Sequence, residues 1–231
     1  MRNDFVFCVV GKGSIGTRHI KNLKALSCNN IIGLSEAPNP QKDEEYRLRY
    51  GIETFYDIDD IRRRKPDAFI IANPTAKHIK YALIAARMGS HIFMEKPISD
   101  NRDGIDELEK EVIDRDLVFF MANNFRFHPV FKKIKEFIVK GELGRILFAR
   151  IQAGQYLPDW HPWEDYRRGY SARRDLGGGV VLTLQHEIDY AYWLFGKFKH
   201  IKSHVKKISD MEIDVEDIAS IIIETEEGSV L

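Results

Sequence analysis

The apolar run 5–10 passes directly into Gly11-Lys12-Gly13-Ser14-Ile15-Gly16, and a helical repeat of apolar residues begins inside that motif. A strand that turns into a helix through Gly-x-Gly-x-x-Gly leaves few folds open, because each glycine answers a separate steric demand. The first permits the tight turn, the second lets a pyrophosphate approach the backbone, and the third allows close packing of helix on strand. The helix start, at Ser14 and Ile15, offers free N–H groups and a positive dipole end to phosphate. Glu36 lies 20 residues beyond Gly16, at the end of the next apolar run, where a carboxylate can bind a ribose 2′-hydroxyl. That favours NAD, while Ser35 beside it leaves NADP open. The bland alternative is a glycine-rich turn with no ligand.

Short apolar runs at 5–10, 31–35, 68–72, 91–95 and 117–122 alternate with amphipathic stretches at 14–26, 77–88 and 103–115, the last residue of the second being followed by Gly89 as a C-cap. Nearly all-apolar strands joined by helices predict a doubly wound parallel sheet covered on both faces. After Asn123 the texture changes, which predicts a first domain over 1–122 and a second over 123–231. The second reads as an α+β domain with a mostly antiparallel open sheet. Its expected parts are a helix over 128–140, a Gly-Glu-Leu-Gly turn, a strand over 146–155 and an aromatic, charged loop over 156–170. The glycine triplet 177–179 then opens a helix ending near Phe195, and strands follow over 199–208 and 215–225. Glu227-Gly228-Ser229 reads as a hairpin turn, with Val230-Leu231 starting a returning strand.

Composition removes several function classes. The 35 basic and 35 acidic residues give zero formal charge, so no global positive field draws the chain to nucleic acid. The one dense basic run, Arg62-Arg63-Arg64-Lys65, stands before Pro66 and reads as a solvated helix end. Cys8 and Cys28 are the only cysteines, too few for a disulfide framework, which fits a reducing compartment. Met1-Arg2-Asn3-Asp4 and the six apolar residues after it are too short for a signal-peptide core or a membrane span. The cytoplasm is the default expectation. No H-E-x-x-H helix or cysteine pair suggests a metal site.

Asn73-Pro74-Thr75 ends the run 68–72, at the strand edge where open α/β sheets bind ligands; it either borders the nicotinamide or is an Asn-Pro turn. Glu95-Lys96-Pro97 ends the run 91–95. Taken with Gly11-Lys12-Gly13-Ser14-Ile15-Gly16, this Glu-Lys-Pro makes the whole chain resemble the glucose-fructose oxidoreductase, inositol dehydrogenase and MocA family. The resemblance implies an NAD(P)-dependent oxidoreductase acting on a hydroxyl or keto group of a sugar or sugar derivative. Lys96 would hydrogen-bond the substrate hydroxyl and relay its proton. Glu95 would orient Lys96, and Pro97 would fix the turn, cis or trans. His78 joins Asn73, Pro74, Thr75, Glu95 and the glycine loop in the implied cofactor set.

In the second half His186 matches the family's active-site histidine and shares a helix face with Asp189, which joins Thr183, Arg126, Tyr156 and Trp160 in the implied substrate set. Many relatives carry an aspartate one turn earlier, where this chain has Leu182 or Thr183. Thr183 can hydrogen-bond but cannot act as a carboxylate base. Arg126, in Asn124-Phe125-Arg126-Phe127-His128-Pro129, would either reach substrate or brace the hinge between domains. The stretch from Gln155 to Tyr166, with Tyr156 and Trp160, mixes aromatic faces with polar groups as a sugar pocket does, though a subunit contact would explain it too. It also resembles the subgroup tied to sialic-acid-type and surface-sugar biosynthesis. The resemblance further implies a homo-oligomer formed through the second-domain sheet, and a chain truncated in mid-sheet at Leu231. The competing expectation is a regulatory protein that binds dinucleotide without turnover, as relatives resembling the galactose-pathway repressor do.

Overall fold

The computed structural model describes residues 5–231, and the reading of Met1-Arg2-Asn3-Asp4 lies outside them. The chain divides into two compact units, one ending at Ala122 and the other beginning at Asn123.

In the first unit, strands β1 (Phe7–Val10), β2 (Ile31–Leu34), β3 (Glu53–Phe55), β4 (Ala68–Ile71), β5 (His91–Met94) and β6 (Phe119–Met121) form one six-stranded sheet in the order β3-β2-β1-β4-β5-β6. Every pairing is parallel, with Phe7 level with Ile31 on one side and Ala68 on the other. The order reverses between β1 and β4, and the crevice beyond the carboxyl ends of two such strands is where open α/β sheets bind ligands.

Side chains alternate across the sheet and split the core into two layers. Val9 and Ile70 pack with Ile20 and Leu23 of α1 (Ser14–Ala25) and Tyr46 of α2 (Pro40–Tyr50). Cys8, Val10, Phe69 and Ile71 face the opposite layer, with Ile61 of α3 (Ile58–Arg64), Ala82, Ala85 and Ala86 of α4 (His78–Arg87) and Leu108 of α5 (Ile105–Asp114). Three fully buried alanines let α4 approach the strands closely. Cys8 is fully buried, and burial pushes its thiol pKa up, so it behaves as an inert small hydrophobe.

The second unit holds α6 (Pro129–Val139), α7 (Val180–Thr183), α8 (His186–Phe195) and the antiparallel pair β7 (Phe198–Lys206) and β8 (Ile218–Thr225). The expected turn forms: Gly228 takes φ +81°, and Leu231 and Ile223 exchange backbone hydrogen bonds of 2.8 and 3.1 Å. Three expectations are corrected. The run 146–155 is no strand and carries a single bridge, Phe148 to Val230, where Ala149 N donates to Val230 O at 3.0 Å and Val230 N to Leu147 O at 3.1 Å. The helix after the glycine triplet breaks at Leu184-Gln185 into α7 and α8. Finally, β7 stops at Lys206 and β8 starts at Ile218, because the Asp217 carboxylate accepts from Ile208 N and Ser209 N at 2.8 and 3.0 Å and replaces the ladder there. No helix among the described residues is long and apolar enough to cross a membrane.

Candidate active site

The glycine loop is set by steric necessity at two positions. Gly11 has φ +97°, and a Cβ there would lie 2.7 Å from Ala72 O; a Cβ on Gly16 would lie 2.0 Å from Gly11 O. Gly13 differs, since it is exposed and a Cβ on it would meet nothing within 4 Å. Open space is what a backbone approached by a pyrophosphate requires. Gly13 caps α1 without a side chain, and the first turn, including Ser14 and Ile15, has no acidic residue, so the positive helix end is left for an anion.

Lys12, between the glycines, was not expected to matter. It is buried, ion-pairs with Asp43 of α2 and sits 5.4 Å over the Tyr56 ring, while Tyr46 Oη donates to Lys12 O at 3.2 Å. It braces the loop against α2. Residue type gave no hint of this, because the partners lie on elements whose place only the fold reveals.

Glu36 stands just past β2. Lys77 Nζ donates to Oε2, Tyr81 Oη donates to Oε1 at 3.0 Å, and Lys80 Nζ lies 3.6 Å from Oε1. Burial raises the Glu36 pKa, yet these hydrogen bonds and charges outweigh it and hold the carboxylate below its ordinary range. Ser35 Oγ donates to Ala37 O at 3.3 Å, so its hydroxyl is turned away from the role that left NADP open.

At the end of β4, Pro74 precedes a 3-10 turn over Thr75–Lys77, and Thr75 is 2% exposed. Both polar atoms of the Asn73 side chain are buried with no hydrogen-bond partner among the described residues. A buried amide left unsatisfied costs about 1–3 kcal/mol, and a ligand offering both a donor and an acceptor removes that cost. The bare Gly13 cradle, the open α1 terminus and the orphaned Asn73 amide together fit a dinucleotide.

His78 was expected to touch the cofactor. The structure makes it a brace instead: it is 1% exposed, with Nδ1 2.7 Å from Pro97 O and Nε2 2.9 Å from Asn73 O, so it ties the β4 and β5 loops together. Burial holds its pKa below the ordinary value although both carbonyls pull the other way. The unfolded chain therefore binds a proton that the folded chain resists, and stability falls as pH drops below about 6.5. Urea unfolding is expected to show this acid loss in the wild type and a smaller one in His78→Gln.

Glu95 directly follows β5, and Lys96-Pro97 is a cis peptide. The Glu95 carboxylate lies 2.7 Å from His19 Nε2 of α1. Burial raises its pKa, but His19, the Lys96 backbone N–H and the Lys96 charge bring it below the ordinary value. Glu95 thus anchors the Lys96 peptide and links it to the helix that carries the glycine loop. Lys96 itself is half-buried.

In the second unit, Asp189 of α8 is not available to substrate. Its side chain is 6% exposed and accepts from Arg126 Nε and Nη2 at 2.9 and 2.6 Å and from Asn123 Nδ2 at 2.9 Å. Arg126 is likewise committed: its fork holds the 123–127 segment on α8, and the Asp189 hydrogen bonds raise its pKa. Asp189→Ala leaves Arg126 without its carboxylate and is expected to cost about 2 kcal/mol, read as a lowered denaturation midpoint with unchanged slope. His186 packs edge-on against Phe125, ring centroids 4.8 Å apart.

Trp160 and Thr183 meet in one cavity of 210 Å³ within this unit, with Gln155, Met211 and Glu216. The indole Nε1 of Trp160 is buried with no partner among the described residues. Tyr156 does not line this cavity and is 60% exposed. Glu216 escaped the sequence reading. Its Oε1 accepts from Val181 N at 3.3 Å, in space that exists because Gly179 has no Cβ, which would lie 2.3 Å from that oxygen.

Comparison with known proteins agrees with this geometry. Residues 5–123 match an oxidoreductase family described as an NAD-binding Rossmann fold, and residues 131–231 match the GFO/IDH/MocA C-terminal domain. The chain is 29% identical over 192 residues to a myo-inositol 2-dehydrogenase of Thermotoga maritima, covering 82% of this chain and 54% of the relative. It is 30% identical over 174 residues to a levoglucosan dehydrogenase of Pseudarthrobacter phenanthrenivorans, covering 71% of this chain and 43% of the relative. The chain therefore spans about half the length of these curated relatives. Among solved structures, the WlbA dehydrogenase from Bordetella pertussis in complex with NADH and UDP-GlcNAcA shares the fold, with TM-score 0.84, 19% identity and coverage of 98% of this chain and 70% of that one. On the strength of matches over both halves and the two motifs at the sheet's carboxyl edge, the chain belongs to the Gfo/Idh/MocA oxidoreductase family.

Proposed function

We propose that this chain binds NAD in its first unit and takes part in oxidising a ring hydroxyl of a cyclic polyol or sugar. The observation that carries the proposal is the placement of Glu95-Lys96-Pro97 on the same sheet edge as the glycine loop and the orphaned Asn73 amide. The names of the inositol and levoglucosan relatives support a compact polyhydroxylated ring as substrate. NAD, when bound, supplies the hydride acceptor.

The chain's own residues supply the rest. Gly11, Gly13, Ser14, Ile15 and Gly16 seat the pyrophosphate, Glu36 takes the adenosine ribose, and Asn73, Pro74 and Thr75 border the nicotinamide side. Lys96 Nζ holds the oxygen of the reacting hydroxyl and stabilises the negative charge that grows on it. For His186 the role is proton transfer, the one implied by its match to the family's active-site histidine. Trp160 and Thr183 contribute apolar and hydrogen-bonding surface to the sugar. The outward face of β8 exposes Ile218 and Ile222, which supports assembly of identical chains through this sheet.

The test is NAD reduction followed by absorbance with a panel of inositols, anhydrosugars and hexoses. Turnover with at least one ring polyol is expected. Tight NADH binding with no turnover across the panel would favour the regulatory alternative, and absence of NADH binding would overturn the proposal.

A further inference from the structure

Lys77 was not singled out by the sequence, and the cofactor motifs do not use it. It closes the 3-10 turn after Asn73-Pro74, at the start of α4, on the ligand-facing edge of β4. Its ammonium reaches across to Glu36 at the end of β2, and Lys80, one turn along, lies 3.6 Å from the same carboxylate. A carboxylate in that place ordinarily excludes a 2′-phosphate by like charge. Here the carboxylate is outnumbered by two ammonium groups.

We propose that Lys77, backed by Lys80, sets how this site treats the ribose 2′ position, so that it accepts 2′-phosphorylated and unphosphorylated nicotinamide dinucleotides alike. The proposal rests on the reading of the first unit as a dinucleotide site. Glu36 has acceptor capacity for a ribose hydroxyl in addition to Lys77 and Tyr81, since an ionised carboxylate offers about four lone-pair sites. A 2′-phosphate, carrying about −1.5 to −2 charge, instead draws Lys77 away from Glu36. The flexible four-carbon stem of lysine permits that exchange, and the Lys77 side chain is 35% exposed, free enough to swing. Tyr81 Oη stays on Glu36 and keeps the carboxylate from turning into the phosphate position.

The test is fluorescence titration of the full chain with NADH and NADPH, in the wild type, Lys77→Met and Glu36→Gln, at low and high salt. The wild type is expected to bind the two within about tenfold of each other. Lys77→Met is expected to weaken NADPH by about tenfold or more while NADH stays within about twofold. Salt should weaken NADPH more than NADH, because the extra contact is between partly exposed charges. Glu36→Gln should weaken NADH and tighten NADPH. Equal effects of Lys77→Met on both ligands, or wild-type rejection of NADPH by more than about 100-fold, would overturn the assignment of Lys77 and leave the dinucleotide reading standing. Failure of the wild type to bind either ligand would sink both.

Discussion

Lys96→Met is expected to lower kcat/KM for the best polyol substrate by about 10³-fold while the NADH dissociation constant moves less than about threefold. Methionine keeps the length and apolar stem of lysine, so the packing around the cis Lys96-Pro97 peptide is preserved and the ammonium alone is lost. Contacts other than that ammonium also hold the local frame: Glu95 is held by His19 and by the Lys96 backbone, and Pro97 O by His78. A binding loss as large as the rate loss would mean that Lys96 supports the cofactor loop and does not touch the reacting hydroxyl.

Gly16→Ala should be among the most damaging substitutions in the first unit. Its Cβ would sit 2.0 Å from Gly11 O, and both the methyl and that oxygen are carried on backbone, so no rotamer relieves the clash. Either α1 moves off β1 or the turn at Gly11 opens, and Ile20 and Leu23 lose their place against Val9 and Ile70. The expected cost is about 3–5 kcal/mol, read as a shift in the denaturation midpoint. Gly13→Ala is the matched control, since its methyl would meet nothing within 4 Å. It should leave stability within about 1 kcal/mol yet weaken NADH binding by about tenfold or more, because the methyl fills the space the pyrophosphate needs. If both variants lose stability alike, the loop's openness at Gly13 has no functional meaning.

The first unit was legible where its signals are local. The run 5–10 and the glycine loop carry their own instructions, and four further strands were visible because each lies in a short, nearly all-apolar run. β3 was not found: it has three residues, and Glu53 is exposed. α2 escaped because only Tyr46 of its eleven residues is buried, leaving no apolar stripe. Its signals are at the ends, where Asn39 accepts from Lys42 N at 3.1 Å, Pro40 opens the first turn and Gly51 closes it at φ +65°. In the second unit the run 146–155 reads as strand-like, but a strand also needs a paired neighbour, which local sequence cannot supply.

The site was legible in its motifs and less so in its contacts. Sequence placed Glu36, Asn73, Glu95 and Lys96 on strand ends, and they lie there. It could not show that Asp189 is spent on Arg126 or that His78 faces two backbone carbonyls. Nor could it show that Glu36 shares its charge with Lys77. Each of these is a pairing across five to sixty-three positions, set by where the elements meet.

Backbone amide hydrogen exchange with and without saturating NADH reads dinucleotide binding by the first unit segment by segment. Slowed exchange is expected in three separate segments, around 11–16, 73–78 and 95–98, with β7 and β8 unaffected. Protection absent from all three, or confined to the second unit, would contradict it.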